Sequence, residues 1–227
     1  MIYRVAECFA SINGESSRAG ELAYFIRFVG CNLNCSYCDT AWAIPQDAPC
    51  VEMTSEEIMD KISESGIKNV TLTGGEPLIQ KDINPLIERI ASRGFRLELE
   101  TNGAVAIEET AMLRKEKNLQ DKITFTLDYK CPSSGMEEAM VMENYEHLTS
   151  WDSVKFVVGN REDLEKAREV IREMNLLDRN IPVYISPVFG SIHPETIVEY
   201  MKQYKMNDVH LQLQLHKFIW DPDKRGV

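Results

Sequence analysis

The chain has little that would direct it to a membrane or a nucleic acid. Its 227 residues contain no apolar run long enough to cross a bilayer. Basic residues number 25 against 36 acidic ones, and the net charge of −11 argues against a phosphate backbone as the main partner. The opening MIYRVAECFASINGE lacks both a basic start and a long apolar stretch, so no export signal is expected and a cytoplasmic location is. Low-complexity tracts, internal repeats and linkers are missing, so a single domain spanning 1–227 is expected. Six cysteines in a chain neither short nor visibly secreted do not make a disulfide framework. No second CxxC or His pair follows the cysteines at finger spacing, so a closed four-ligand zinc site lacks its usual donors.

What is present is ordinary globular material, 44% hydrophobic and 27% charged. Strand patterns occupy Leu22–Val29, Asn69–Thr73, Phe95–Glu100, Ile123–Tyr129, Ser153–Val158, Val183–Ser186 and Val209–Leu213. Several are continuous apolar or β-branched runs, as expected of parallel strands covered on both faces. Helical periodicity lies between them. Thr54-Ser55-Glu56-Glu57 reads as a capping box ahead of Ile58 and Ile62, and Asp82–Ala91, Arg161–Met174 and Pro194–Tyr204 read as further helices. Repeated β-α units imply parallel strands with right-handed crossovers, in an open doubly wound sheet or an incomplete barrel. Asp39–Met53 reads as a loop and His216–Val227 as a tail.

The unusual residues gather where strands end. Cys31–Cys38 follows the first predicted strand and Gly74-Gly75-Glu76-Pro77 the second. Glu100-Thr101-Asn102-Gly103 closes the third, and Asp128-Tyr129-Lys130 the fourth. One edge of a parallel sheet therefore carries all four, and that edge is where α/β proteins and β/α barrels build their active sites.

The spacing Cys31-x-x-x-Cys35-x-x-Cys38 can wrap three thiolates around one soft metal centre. A four-iron cluster with three cysteines leaves one iron open, which suits catalysis; zinc with a distant fourth ligand is the rival. Cys8, Cys50 and Cys131 are scattered and read as ordinary small residues.

At these cysteines the chain resembles the radical S-adenosylmethionine (SAM) superfamily, whose signature is CxxxCxxC. The resemblance implies a partial (incomplete) β/α barrel of six or so parallel strands. It implies a [4Fe–4S] cluster on Cys31, Cys35 and Cys38, whose open iron chelates the amino and carboxylate groups of SAM. Reductive cleavage then gives a 5′-deoxyadenosyl radical, chemistry that belongs to the cofactor. Tyr37 stands at the superfamily's aromatic position near the adenine. Gly74-Gly75-Glu76-Pro77 resembles its GGEP motif: two glycines let backbone approach closely, and a carboxylate can accept from an ammonium group.

Further stretches resemble the 7-carboxy-7-deazaguanine synthase family along nearly the whole chain. They are Ile12-Asn13-Gly14-Glu15, Phe25-Ile26-Arg27, Cys38-Asp39-Thr40, Lys130-Cys131-Pro132-Ser133-Ser134-Gly135 and Gln212-Leu213-Gln214-Leu215-His216-Lys217. The implied reaction converts 6-carboxy-5,6,7,8-tetrahydropterin to 7-carboxy-7-deazaguanine with loss of ammonia, on the route to queuosine, with SAM regenerated. The resemblance implies an N-terminal substrate loop at 10–16, a cluster loop at 31–40 and a tail, 216–227, folded over the pocket, with substrate contacts at Ile12, Asn13, Gly14, Glu15, Arg27, Thr73, His216 and the terminal carboxylate of Val227. Implied SAM contacts are Tyr37, Cys38, Asp39, Gly75, Glu76, Glu100, Asn102, Asp128, Tyr129 and Lys130. Thr40 matches a magnesium ligand, with substrate and water supplying the other oxygens. These residue types suit their roles: Arg27 offers a planar fork to a carboxylate, and Glu15 accepts from pterin N–H groups. The sequence departs from the family at Asp128-Tyr129, where Ser-Pro is usual before the lysine, and at Asn13, where glutamine is usual.

Two other readings stay open at this stage, a glycyl-radical activating enzyme and a non-catalytic cysteine–metal module. The expected partners are the pterin, a flavodoxin- or ferredoxin-type reductant and a second copy of the chain, because an incomplete barrel leaves edges to cover. No nucleic acid is expected to bind directly.

Overall fold

All seven predicted strands form, and two unpredicted ones extend the sheet. The computed structural model describes residues 1–222 and 224–227. The new strands are β1 (Ile2–Ile12) and β3 (Val51–Thr54). They join β2 (Leu22–Phe28), β4 (Asn69–Gly74), β5 (Arg96–Thr101), β6 (Ile123–Tyr129), β7 (Ser153–Val158), β8 (Val183–Pro187) and β9 (Val209–Leu211). The order is β3-β1-β2-β4-β5-β6-β7-β8-β9, parallel from β2 onward, with β1 antiparallel to both its neighbours.

The helices are α1 (Ser55–Ser65), α2 (Ile83–Ser92), α3 (Glu108–Glu116), α4 (Arg161–Glu173), α5 (Pro194–Gln203) and the single turn α6 (His216–Ile219). The capping box is made: the Thr54 hydroxyl accepts from the Glu57 amide, and the Glu57 carboxylate accepts from the Thr54 amide at 2.7 Å. Such a cap contributes about 1 kcal/mol. Gly66, at φ 67°, ends the helix.

Alternation along each strand gives the sheet two unlike faces. Val70, Leu72, Leu97, Leu99, Phe125, Leu127, Val154, Phe156, Val183 and Ile185 belong to the apolar core. Their neighbours in sequence, Thr71, Thr73, Glu98, Thr124, Thr126, Ser153 and Ser186, are buried and polar. Both faces are covered, as expected, but the second is a polar interior. Glu98 anchors it, accepting from the Ser16, Thr126 and Asn13 side chains.

The sheet does not close, and the helices share the core with its apolar face while the other face looks onto a polar interior, so the incomplete barrel is the correct choice of the two. The gap is bridged by loop and tail. Gln212 donates to the Ser16 carbonyl at 2.9 Å, and the Leu215 amide to the Gly14 carbonyl at 3.2 Å. Three boundaries differ from expectation. The loop predicted from residue 10 begins only after Ile12, part of the Asp39–Met53 loop is strand β3, and the tail opens with α6. For β1 the reason is pairing: Glu7 lies opposite Arg27, beside a register shift between Val5 and Glu7, so charged residues sit within the ladder. No helix among the described residues is long and apolar enough to cross a membrane.

Candidate active site

The cysteine loop is seated by backbone contacts. β2 and β4 run parallel with Phe28 opposite Gly74. Beyond them, the Gly75 amide donates to the Phe28 carbonyl at 3.2 Å and the Glu76 amide to the Gly30 carbonyl at 2.9 Å. A Cβ on Gly75 would lie 1.8 Å from the Gly30 oxygen and 2.9 Å from the Cys31 Cβ. The glycine pair thus lets one strand end lie against the root of the cysteine loop.

Glu76 then locks the next turn. Wholly buried, it accepts from the Leu78 amide at 3.0 Å, the Thr101 hydroxyl at 3.0 Å and the Asn102 amide at 2.7 Å. Burial nevertheless pushes its carboxyl up to about 7. Asn102, so held, donates its side-chain amide to the Cys31 sulfur at 3.5 Å and to Asn32 at 2.8 Å. The Leu33 amide adds a second donor to Cys31 at 3.4 Å.

Cys31, Cys35 and Cys38 are all free and half-buried. Burial raises the thiols of Cys35 and Cys38, the neighbouring cysteines raise them further, and Lys130 opposes the rise. Among the described residues, no three His, Cys, Asp or Glu side chains stand ready to hold a single metal ion. Three thiols within electrostatic reach along one loop suit a cluster, in which separate irons take one thiolate each. Sulfur-directed N–H donors also suit such a cluster.

The other predicted residues divide by strand alternation. Asp128 on β6 and Lys130 just beyond its end meet: Lys130 donates to Asp128 at 2.7 Å, and Asp128 with Cys35 holds that ammonium above its usual range despite burial. Tyr129 points the other way into the apolar core, packs on Phe156 and donates to Glu137 at 3.0 Å. Its side chain is therefore apart from Asp128, and only its backbone is shared with that segment. Asn13 is likewise committed to the interior, donating to Glu98 at 3.2 Å and accepting from Thr71 at 2.9 Å.

Arg27 is half-buried on β2. Its Nε pairs with Glu7 at 2.8 Å, one terminal nitrogen reaches the Thr40 hydroxyl at 3.4 Å, and its guanidinium lies near the Phe9 ring. Thr40 in turn donates to Asp39 at 3.0 Å. The protein around Asp39 opposes its ionisation, but Lys217, Thr40, Arg27 and His216 outweigh this and hold its carboxyl below the usual range. Thr73 donates to Glu100 at 2.7 Å, whose carboxyl burial raises. Tyr37 donates to the Val157 carbonyl at 3.2 Å, so its ring spans from the cysteine loop to β7.

The tail comes back over this edge. His216 packs against Gly14, where a Cβ would meet its Nδ1 at 2.8 Å, and burial lowers its pKa. Lys217 lies 3.8 Å from Asp39, Arg225 stacks 4.2 Å from the centre of the Trp42 ring, and Gly226 lies beside Glu7. Ile12 ends β1 opposite Leu22, next to this loop, and Val227 is half-buried.

Two residues stand out that the motifs did not mark. Lys155, in the middle of β7, lies 3.0 Å from Glu15 and 3.7 Å from Asp128. Lys217 is the other: it closes the family-like stretch Gln212–Lys217, but no role is expected of it. Two buried carboxylate oxygens, Oε1 of Glu15 and Oδ1 of Asp128, have no partner among the described residues. Bare buried oxygens are rare unless a ligand or water supplies donors.

Residues 25–146 match the model of the radical SAM superfamily. The 7-carboxy-7-deazaguanine synthase of Clostridium acetobutylicum is 50% identical over 228 residues, covering 100% of both chains. That of Koribacter versatilis is 32% identical, covering 99% of this chain and 100% of its own. The crystal structure of QueE from Escherichia coli superposes with a TM-score of 0.75 over 94% of each chain, at 23% identity, which shows a shared fold.

Proposed function

The chain belongs to the radical SAM superfamily and, within it, to the 7-carboxy-7-deazaguanine synthases, and from that membership we infer how its residues serve the reaction. It is a lyase that converts 6-carboxy-5,6,7,8-tetrahydropterin to 7-carboxy-7-deazaguanine, with ring contraction and loss of ammonia, in the biosynthesis of queuosine and related 7-deazapurines. One observation carries the assignment of roles: three half-buried thiols on one loop, seated on a glycine pair, follow the end of β2 that carries Arg27, and Glu15 is joined through Lys155 to Asp128 on that edge.

Cys31, Cys35 and Cys38 hold the cluster. When bound, the cluster and SAM supply the electron and the hydrogen-abstracting radical. Asn102 and the Leu33 amide spread the charge of the Cys31 thiolate, and Lys130 offsets that of Cys35. SAM contacts fall to Tyr37, Cys38, Asp39, Gly75, Glu100, Asn102, Asp128, Lys130 and the backbone at Tyr129, with Glu76 fixing the turn that carries Asn102. The bare oxygen of Asp128 is available to a hydroxyl or ammonium donor of the cofactor.

Arg27, clamped at Nε by Glu7, turns its remaining N–H groups to the substrate carboxylate. Glu15 accepts pterin N–H groups on its bare oxygen, beside Ile12, Gly14 and Thr73. Asn13 acts from behind, by tying this loop to Glu98. The Thr40 hydroxyl joins substrate and water around a magnesium ion. The tail, with His216 and Val227, covers the pocket and excludes water, which strengthens every charged contact inside. A flavodoxin- or ferredoxin-type protein supplies the electron, and the enzyme works in the cytoplasm as a homodimer.

Anaerobic incubation of reconstituted protein with SAM, reductant and the pterin, with and without Mg²⁺, tests this reading. Mass spectrometry should find 7-carboxy-7-deazaguanine, more of it with Mg²⁺. Substrate recovered intact under both conditions would refute it.

A further inference from the structure

We propose that Lys155 is a positioning residue for the pterin: its ammonium ties down one oxygen of Glu15 and so presents the other to the substrate. The inference rests on the reading of the site given above. Nothing in the motifs marks this lysine, which lies in the otherwise apolar run Ser153-Val154-Lys155-Phe156-Val157-Val158.

Three observations carry it. First, Nζ of Lys155 lies 3.0 Å from Oε2 of Glu15 and 3.7 Å from Oδ2 of Asp128, and the side chain is 12% exposed. A lysine this buried is costly unless it is paired, and here it joins the loop after β1 to β6. Second, the pairing is one-sided on both partners. Oε1 of Glu15 and Oδ1 of Asp128 are buried without a partner among the described residues. Lys155 thus holds one oxygen of each carboxylate and leaves its twin to a donor from a ligand. Third, the alternative tether is weak. Apart from Lys155, the Glu15 carboxylate receives among the described residues only the Gln214 side-chain amide, at 3.4 Å. Glu15 sits on a loop, so its aim depends on what holds it.

Charge points the same way. Glu100 from β5, Asp128 from β6 and Glu15 all act on Lys155, and together they hold its ammonium above its usual range although burial works against its charge. His216 faces Glu15 from the tail. Removing the lysine leaves these carboxylates repelling one another, and Glu15 is the one free to swing away.

The test is equilibrium binding to the anaerobic, cluster-loaded enzyme, with 6-carboxytetrahydropterin and SAM measured separately. Lys155→Met should raise the Kd for the pterin by about 10- to 100-fold, the loss of one charge-assisted hydrogen bond at the site, while SAM affinity changes far less. Lys155→Arg should recover most of the loss. In the double variant Lys155→Met/Glu15→Gln, pterin affinity should match Glu15→Gln alone to within about twofold, since both changes remove one interaction. Where Lys155→Met does not fold, Lys155→Gln, which keeps a donor but no charge, carries the same comparison.

The proposal is overturned if SAM and pterin affinities fall together, or if the two single losses multiply in the double variant. Wild-type enzyme that binds the pterin, set beside an unchanged Lys155→Met, overturns the proposal alone. Wild-type enzyme that cleaves SAM yet ignores the pterin overturns the reading beneath it as well.

Discussion

Replacing Gly75 by alanine should empty the iron–sulfur centre although all three cysteines remain. The new Cβ would lie 1.8 Å from the Gly30 oxygen and 2.4 Å from its carbonyl carbon, and backbone atoms cannot swing aside as a side-chain end can. Either β4 or the root of the cysteine loop must shift. The Glu76 amide would then lose the Gly30 carbonyl, and Glu76 its place beneath the Asn102 turn. A displacement on the order of 1 Å at a catalytic centre costs about 100-fold in rate, and here the ligands themselves move. Iron content after reconstitution should drop to a small fraction of wild type and turnover should vanish with it, while circular dichroism keeps its helix and strand content. Gly94→Ala is the control: Gly94 sits at positive φ (90°), where a side chain is strained, but its Cβ meets nothing within 4 Å, so it should cost stability alone. Normal iron loading in Gly75→Ala would show that the loop is not seated as described.

The second large effect lies at the other end of the barrel and concerns stability. Arg114, on α3, makes two bonds to Asp152, at 2.6 and 2.8 Å, with side-chain exposures of 3% and 0%. It also donates to the Ile123 and His147 carbonyls and lies 4.9 Å above the Phe125 ring. Asp152 accepts in addition from the Phe125 and Thr149 amides and the Thr149 hydroxyl. Arg114→Met would strand that carboxylate in the interior, which costs about 3–5 kcal/mol. For a chain of this size Tm should fall by roughly 6–20 °C. Thermal unfolding of the single variant and of Arg114→Met/Asp152→Asn should differ, the double recovering part of the loss, because it removes the stranded charge and keeps an acceptor beside the Phe125 and Thr149 amides. The KM for the pterin should not change, because Arg114 bonds at the start of β6 and the site lies at its end. A single variant as stable as wild type would contradict the account of this pair.

Much of this was legible in the residues, and the exceptions have physical causes. The parallel strands show because Val, Leu, Ile and Phe recur on their helix-facing side. The other face misleads: Thr71, Glu98, Thr126 and Ser153 look like solvent-facing positions but are buried in a hydrogen-bonded interior. β1 hides because Arg4 and Glu7 interrupt its apolar pattern, and only its pairing partners explain them. Lys155 is invisible for a related reason, since one lysine in an apolar strand reads as a side chain reaching for solvent. Asn13 looks like a ligand-binding amide, and only Glu98, distant in sequence, shows how its hydrogen bonds are spent. Tyr129 is different, because strand alternation alone separates its side chain from Asp128. The choice among synthase, activating enzyme and metal module needed more than pattern, and the full-length relatives supply it.

The central claim is that three cysteines hold a cluster whose remaining iron is open to SAM. Anaerobic reconstitution followed by metal analysis, then reduction in the presence of SAM, addresses it most directly. The account predicts about four irons per chain and the appearance of 5′-deoxyadenosine upon reduction. Protein that takes up one zinc in a closed shell, or that carries iron yet leaves SAM intact, would contradict it.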